Sequence, residues 1–231
     1  MKTIGLIGGM SWESTASYYR LINQAVKARL GGLHSASLLL HSVDFAGIEQ
    51  LQRAGDWDTA GAQLAQAARG LQAAGAGALL ICANTMHKVA PAIESAVQIP
   101  LLHVVDATAA AVRRAGVRRV GLLGTRFTME QPFYVERLRQ QGLDVLLPDA
   151  DGRAMVHRVI YEELCQGLVL AGSRDDYRRV MAALVAQGAE GIILGCTELA
   201  LLLDAGDAAV PLFDTTELHA QAAVDWALAD A

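Results

Sequence analysis

The feature that most constrains this chain is that it is written twice. Thr3-Ile4-Gly5-Leu6-Ile7-Gly8-Gly9 has a counterpart 116 residues on, in Arg119-Val120-Gly121-Leu122-Leu123-Gly124-Thr125. Gly75-Ala76-Gly77-Ala78-Leu79-Leu80-Ile81 is matched 113 residues on by Gly188-Ala189-Glu190-Gly191-Ile192-Ile193-Leu194. Ile99-Pro100-Leu101-Leu102 is matched 111 residues on by Val210-Pro211-Leu212-Phe213. One apolar-glycine match is chance in an α/β chain. Three in the same order, at nearly one offset, predict two halves with the same fold.

Each half alternates short apolar runs with stretches of helical spacing. The runs at 3–7, 36–41, 78–82 and 101–105, and at 119–123, 143–147, 191–195 and 210–213, read as buried strands. Helical patterns cover 14–30, 58–74 and 86–97, then 130–141, 153–170, 174–187 and 215–229. In the second of these Leu64, Ala67, Ala68 and Leu71 share a face. Alternating strand and helix implies an α/β fold with parallel sheets covered on both faces. The prediction is two similar doubly wound lobes, Rossmann-like or flavodoxin-like, facing each other across a cleft. Residues 1–102 plus 211–231 form the first lobe and 103–210 the second. The proline-containing segments 99–105 and 207–213 carry the crossovers, so the C-terminal helix packs back on the first lobe.

Composition narrows the functional classes. At 53% apolar residues and a net charge of −5, the chain is no disordered segment. Only 5% of residues are aromatic and the balance is acidic, a poor match to nucleic-acid bases or phosphates. The pairs Arg113-Arg114, Arg118-Arg119 and Arg178-Arg179 read as solvated helix ends. Three scattered cysteines form neither a disulfide framework nor a zinc spacing, so no metal is expected and a reduced, cytoplasmic protein is. No leader segment is read at the start, and the longest uncharged stretch, Leu71 to His87, is too short and polar to span a bilayer.

Ligands of open α/β sheets sit beyond the carboxyl ends of the strands. That rule selects Gly8 to Thr15, Val43 to Gln52, Cys82 to Lys88 and Gly195 to Leu199. In the last, Cys196 stands at a strand end and Thr197 is placed to cap a following helix. Backbone N–H groups there favour a thiolate, although a buried structural cysteine fits as well. Asn84 and Thr85 offer hydrogen bonds at the matching corner of the first half, and His87 reads as a capping or solvent-facing residue. Ser11, with Ser14 or Thr15, caps the helix carrying Tyr18 and Tyr19. The Gly8-Gly9 corner is neither a Walker loop nor a G-x-G-x-x-G, but its glycines let a ligand approach the backbone. Cys165 reads as core packing, and His34, His41, His103, His157 and His219 have no partners visible in sequence.

Gly5-Leu6-Ile7-Gly8-Gly9-Met10, Asn84-Thr85-Met86-His87 and Gly195-Cys196-Thr197-Glu198 together resemble the cofactor-independent aspartate/glutamate racemase family, over essentially the whole chain. Met10-Ser11-Trp12-Glu13-Ser14-Thr15, Thr128-Met129-Glu130-Gln131 and Tyr161-Glu162-Glu163-Leu164-Cys165 resemble its bacterial broad-specificity amino-acid racemases most. The resemblance implies two thiols working as acid and base on opposite faces of an amino acid's α-carbon, with no cofactor. It implies Cys196 as one of them. It further implies that Asn84, Thr85, Thr197 and Glu198 hold the α-carboxylate, that Met10 and Ser11 line the floor, and that Gln52 faces the substrate side chain. A homodimer is implied by the same analogy.

The chain departs from the family pattern where the first thiol belongs. That place, directly before Asn-Thr, is Ala83, and the internal repeat independently makes Ala83 the counterpart of Cys196. Cys82 is one residue early, so strand alternation turns it away from the site unless a bulge re-aims it. The basic pair of aspartate-specific members is not evident either: Glu49, Gln50 and Gln52 occupy one segment, Cys165 stands where a lysine is expected, and Arg53 is the remaining candidate. Three functions follow. The first is an amino-acid racemase or epimerase using Cys196, with Ala83 lining the site. The second is a single-thiol decarboxylase or isomerase of the same superfamily. The third is a relative that binds an amino acid without turning it over.

Overall fold

The computed structural model describes residues 1–229. The chain divides into one unit of Met1–Val104 with the segment from His219 onward, and a second of Val105–Leu218. Both are α/β units built on a wholly parallel sheet, and the sequence repeat is a repeat of topology.

In the first unit the elements run β1 (Ile4–Gly8), α1 (Trp12–Leu30), β2 (Leu38–Ser42), α2 (Phe45–Ala54), α3 (Trp57–Ala73) and β3 (Ala78–Ile81). A 3-10 turn at Thr85–Val89 and the short α4 (Ala90–Glu94) follow. The sheet order is β2-β1-β3, and Leu101 adds a single parallel bridge to Leu79 at the β3 edge. Strand alternation sorts the side chains between two cores. Ile7, Leu79 and Ile81 face α3, with Leu64, Ala67, Ala68 and Leu71 beneath them. Ile4, Leu6, Leu80 and Cys82 face Tyr18, Ile22 and Val26 of α1. Ala220, Ala223, Val224 and Ala227 complete that second core, so the C-terminal helix does pack on the first unit.

The second unit begins within α5 (Val104–Arg114). It continues through β4 (Arg119–Gly124), α6 (Arg126–Glu130), α7 (Pro132–Gln140), β5 (Asp144–Leu146), α8 (Ala150–Glu162), α9 (Ala171–Ala186), β6 (Gly191–Gly195), α10 (Leu199–Leu202), β7 (Leu212–Asp214) and the start of α11 (Thr215–Leu228). The order β5-β4-β6-β7 repeats β2-β1-β3 with the Leu101 bridge grown into a strand. Leu123, Ile192 and Leu194 lie over α8 and α9 as Ile7, Leu79 and Ile81 lie over α3. Two glycines explain part of the matched pattern. A Cβ on Gly5 would stand 2.8 Å from Leu79 Cδ2 and 3.3 Å from Leu71 Cβ, and one on Gly121 would stand 2.7 Å from Ile192 Cδ1 and 3.3 Å from Leu184 Cβ. In both units the missing side chain admits the covering helix.

Several sequence expectations shift. The strand expected at 101–105 is one bridge only, because α5 starts at Val104. The segment Val43 to Gln52 is mostly helix α2, with Asp44 capping it through the Ala46 N–H. The helix expected over 153–170 ends at Glu162, where the turn Leu164–Gln166 closes on Gly167 in the left-handed region. The boundary drawn at 210/211 falls before β7, but β7 pairs with β6, and the division lies at 218/219. Among the described residues no helix is long and apolar enough to cross a membrane.

Candidate active site

Both sheets reverse their strand order beside the first strand of the unit. From β1 the chain steps to β2 on one side and to β3 on the other; from β4 it steps to β5 and then to β6. Such switch points open a crevice at the strands' carboxyl ends. Gly8-Gly9-Met10 and Cys82-Ala83-Asn84 flank the first, and Gly124-Thr125 and Gly195-Cys196 the second. Thr125, which caps α6 through the Thr128 N–H, is a site-edge residue the sequence reading passed over; its position after β4 was the available signal.

The first corner is tightly built. Gly9 takes a positive φ of 93°, and a Cβ there would lie 2.1 Å from the Val43 carbonyl oxygen, so only glycine fits. Its N–H donates to Thr15 Oγ1 at 2.8 Å, and Ser11 caps α1 by accepting from the Ser14 N–H, as its sequence position implied. Met10 and Ala83 are buried in one apolar cluster with Ile48 and Met86. Gln52, buried on α2, donates from Nε2 to Met86 Sδ at 2.9 Å and so joins that cluster. Asn84 is buried and Thr85 partly exposed at the start of the 3-10 turn. Arg53 points away: its side chain is 80% exposed and pairs with Glu49.

Alternation decides between Cys82 and Ala83. Cys82 is fully buried in the core shared by α1 and α11, on the opposite face of the sheet from Ala83, and burial pushes its thiol far above the ordinary range. No bulge re-aims it. His87 is likewise no surface cap. It is buried, with Nδ1 2.9 Å from the Ala83 carbonyl oxygen and Nε2 receiving the Val104 N–H at 3.3 Å.

In the second unit Cys196 follows directly on Gly195, which pairs with Gly124. Its Sγ donates to Glu198 Oε2 at 3.0 Å, and Thr197 Oγ1 donates to the same oxygen at 2.7 Å. The residue preceding α10 is Glu198 rather than Thr197, and α10 has only four residues. The thiolate expected there does not fit. Burial, then the Glu198 carboxylate, then Cys165 hold the Cys196 thiol well above the usual thiol range, so its resting form is S–H. Burial, and to a lesser extent the nearby Cys196, raises the phenols of Tyr134 and Tyr177. Among the described residues no group of three or more His, Cys, Asp or Glu side chains is arranged to hold a metal ion.

Known proteins share this arrangement at the level of chain and fold. The sequence pattern of the Asp/Glu/Hydantoin racemase family matches residues 7–223. The structure superposes with a TM-score of 0.94 on a Yersinia pestis protein described as a candidate Asp/Glu racemase; the two are 59% identical, over 99% of this chain and 100% of that one. An aspartate racemase homologue from Pyrococcus horikoshii superposes with a TM-score of 0.87 at 34% identity, over 99% of this chain and 100% of its own. The broad specificity amino-acid racemase RacX of Bacillus subtilis is 25% identical over 166 residues, 69% of this chain and 68% of its own length. The match to the family pattern spans both parallel sheets and both switch points, and it supports racemase-type isomerase chemistry: the chain belongs to the Asp/Glu/Hydantoin racemase family.

Proposed function

We propose that the protein is a PLP-independent amino-acid racemase or epimerase in which Cys196 exchanges a proton with the substrate α-carbon. Met10, Ser11, Gln52, Ala83, Asn84, Thr85, Thr197 and Glu198 hold the amino acid. The observation that carries this reading is the Cys196 S–H held on the Glu198 carboxylate at the carboxyl end of β6. In the forward step a water on the face opposite Cys196 takes the proton as the Cα–H bond breaks, and the electron pair stays on carbon, delocalised into the α-carboxylate. The S–H bond of Cys196 then breaks toward that carbon and leaves a thiolate. In the reverse direction the thiol first yields its proton to Glu198, 3.0 Å away, the thiolate takes the α-proton, and the water on the opposite face protonates the carbon. Ala83 occupies the place of a second thiol, so an ordered water serves the opposite face and turnover is lopsided. With Arg53 exposed and paired, the reading favours a neutral or polar side chain over a dicarboxylate.

Each enantiomer of the amino acids is incubated in deuterated water and α-deuterium is followed by mass spectrometry. Incorporation with the parent and its loss in Cys196→Ser is expected; incorporation undiminished by that substitution would overturn the proposal. The resting S–H also favours a second reading. A decarboxylase needs one acid only: the carbon–carboxylate bond breaks, carbon dioxide leaves, and the thiol protonates the enolate. Carbon dioxide release from a panel of malonates, without α-deuterium exchange in amino acids, would select it. Amino-acid binding by calorimetry with neither reaction would select a binding relative. By likeness to the family the proposal includes a homodimer in the cytoplasm, and light scattering of the purified protein tests the dimer.

A further inference from the structure

We infer that His87 is a positioning residue that fixes the Ala83–Asn84 peptide, and with it the N–H that faces an incoming carboxylate. The inference deepens the proposed function, because it rests on reading Ala83 to Thr85 as the carboxylate-binding loop.

The imidazole bridges two pieces of backbone. A main-chain amide can only donate, so the Val104 N–H makes Nε2 the acceptor and puts the ring's hydrogen on Nδ1. Nδ1–H then donates to the Ala83 carbonyl at 2.9 Å. The ring is buried and packed against two more imidazoles, His103 at 4.5 Å and His219 at 5.7 Å between centroids. His219 is tied down in turn. It takes the Tyr18 hydroxyl on Nδ1 at 2.8 Å and donates from Nε2 to the Leu102 carbonyl at 2.6 Å. The cluster therefore ties the end of β3 to α1, to segment 102–104 and to α11 through defined hydrogen bonds.

Peptide planarity converts that anchor into control of the site. The Ala83 carbonyl and the Asn84 N–H belong to one rigid plane and point in opposite directions. Pinning the carbonyl to His87 on the core side aims the Asn84 N–H away from the core. Without the pin, rotation of this plane would cost binding, since a donor misaligned beyond a few tens of degrees loses most of its hydrogen bond.

Two near-isosteres separate the bonds. The amide nitrogen of Asn sits near the place of Nδ1, and that of Gln near the place of Nε2. His87→Asn keeps the donor to Ala83 and is expected to retain KM within about threefold. His87→Gln loses it and is expected to raise KM about tenfold, the value of one hydrogen bond, with kcat changed much less. Equal KM in parent and His87→Gln, while Cys196→Ser abolishes exchange, overturns the role of His87 and leaves the proposed function standing. Two readouts need no turnover. The imidazole 15N shifts of the parent must show a protonated Nδ1 and an unprotonated Nε2; the other tautomer overturns the inference even if the variants fail to fold. The Asn84 amide resonance must move in His87→Gln and stay in His87→Asn, and an Asn84 signal indifferent to both also overturns it.

Discussion

A single oxygen atom, Glu198 Oε2, receives both the Cys196 thiol and the Thr197 hydroxyl. Its charge is the second cause, after burial, of the raised Cys196 thiol. Replacing Glu198 by Gln keeps an acceptor oxygen and removes the charge. With less repulsion the thiolate becomes easier to form, so the midpoint of the pH profile for Cys196 alkylation, read peptide by peptide, should move down toward the ordinary thiol value. Burial keeps it from arriving there. If Glu198 also holds the proton in transit, α-deuterium exchange should fall, by about a hundredfold, although more thiolate is present. A profile that does not move shows that the carboxylate charge is not felt at sulfur. Some of this residue-level chemistry was readable beforehand. Period-2 alternation placed Cys82 and Ala83 on opposite faces, and they are in opposite cores. The protonation state of Cys196 was not readable, because it depends on a carboxylate two residues away folding back onto the sulfur. Nor was the burial of His87, whose partners Ala83 and Val104 are backbone groups with no signature in side-chain identity.

Elements were legible where they are long and repeat. Helix α3 buries Leu64, Ala67, Ala68 and Leu71, the face its spacing foretold, and the matched Gly-rich strands became the central pairs of both sheets. Short elements escaped. Helix α2 buries only Ile48 and Gln52, too few positions for a clear 3.6-residue rhythm. The two kinds of glycine predict opposite outcomes. Gly5→Ala and Gly121→Ala force a Cβ to within 2.8 and 2.7 Å of Leu79 and Ile192 side chains beneath α3 and α9. Each should destabilise its unit by about 1–3 kcal/mol, the usual cost of overfilling a packed interior. Gly47, exposed in α2 with nothing within 4 Å of its would-be Cβ, should behave in reverse. Gly47→Ala should stabilise by about 0.5–1 kcal/mol, because alanine loses less backbone entropy in a helix. Urea unfolding of the three variants checks both signs. Equal effects at Gly5 and Gly47 would mean that helix approach is not what the repeat's glycines serve.

At the scale of the whole chain the repeat carries its strongest consequence in one broken correspondence. The three strands of the first sheet match β5-β4-β6 of the second, and Ala83 and Cys196 each stand two residues past an equivalent pairing, Ile7–Ile81 and Leu123–Leu194, on the face covered by α3 and by α9. Duplication explains why a two-faced reaction suits such a chain: two copies of one corner supply two equivalent groups. It also shows what the substitution of one copy costs under the proposed function. Removing an α-proton from one face and returning one to the other takes two groups, and the chain keeps a thiol in one copy only. Exchange of α-hydrogen should therefore proceed faster from one enantiomer than from the other. Ala83→Cys restores the correspondence with one added sulfur atom in a position already facing the same cluster as Met10. The expected result is racemisation in both directions at about tenfold or more above the parent, the lower range of what a placed acid or base contributes. The gain should vanish when Cys196→Ser is added, because the two thiols act as a pair. Ala83→Ser, with a hydroxyl too weakly acidic to share the proton, controls for volume. A folded Ala83→Cys protein with unchanged, one-sided exchange would mean that the equivalence of the two corners is one of backbone only, and that the proton for the second face arrives by another route.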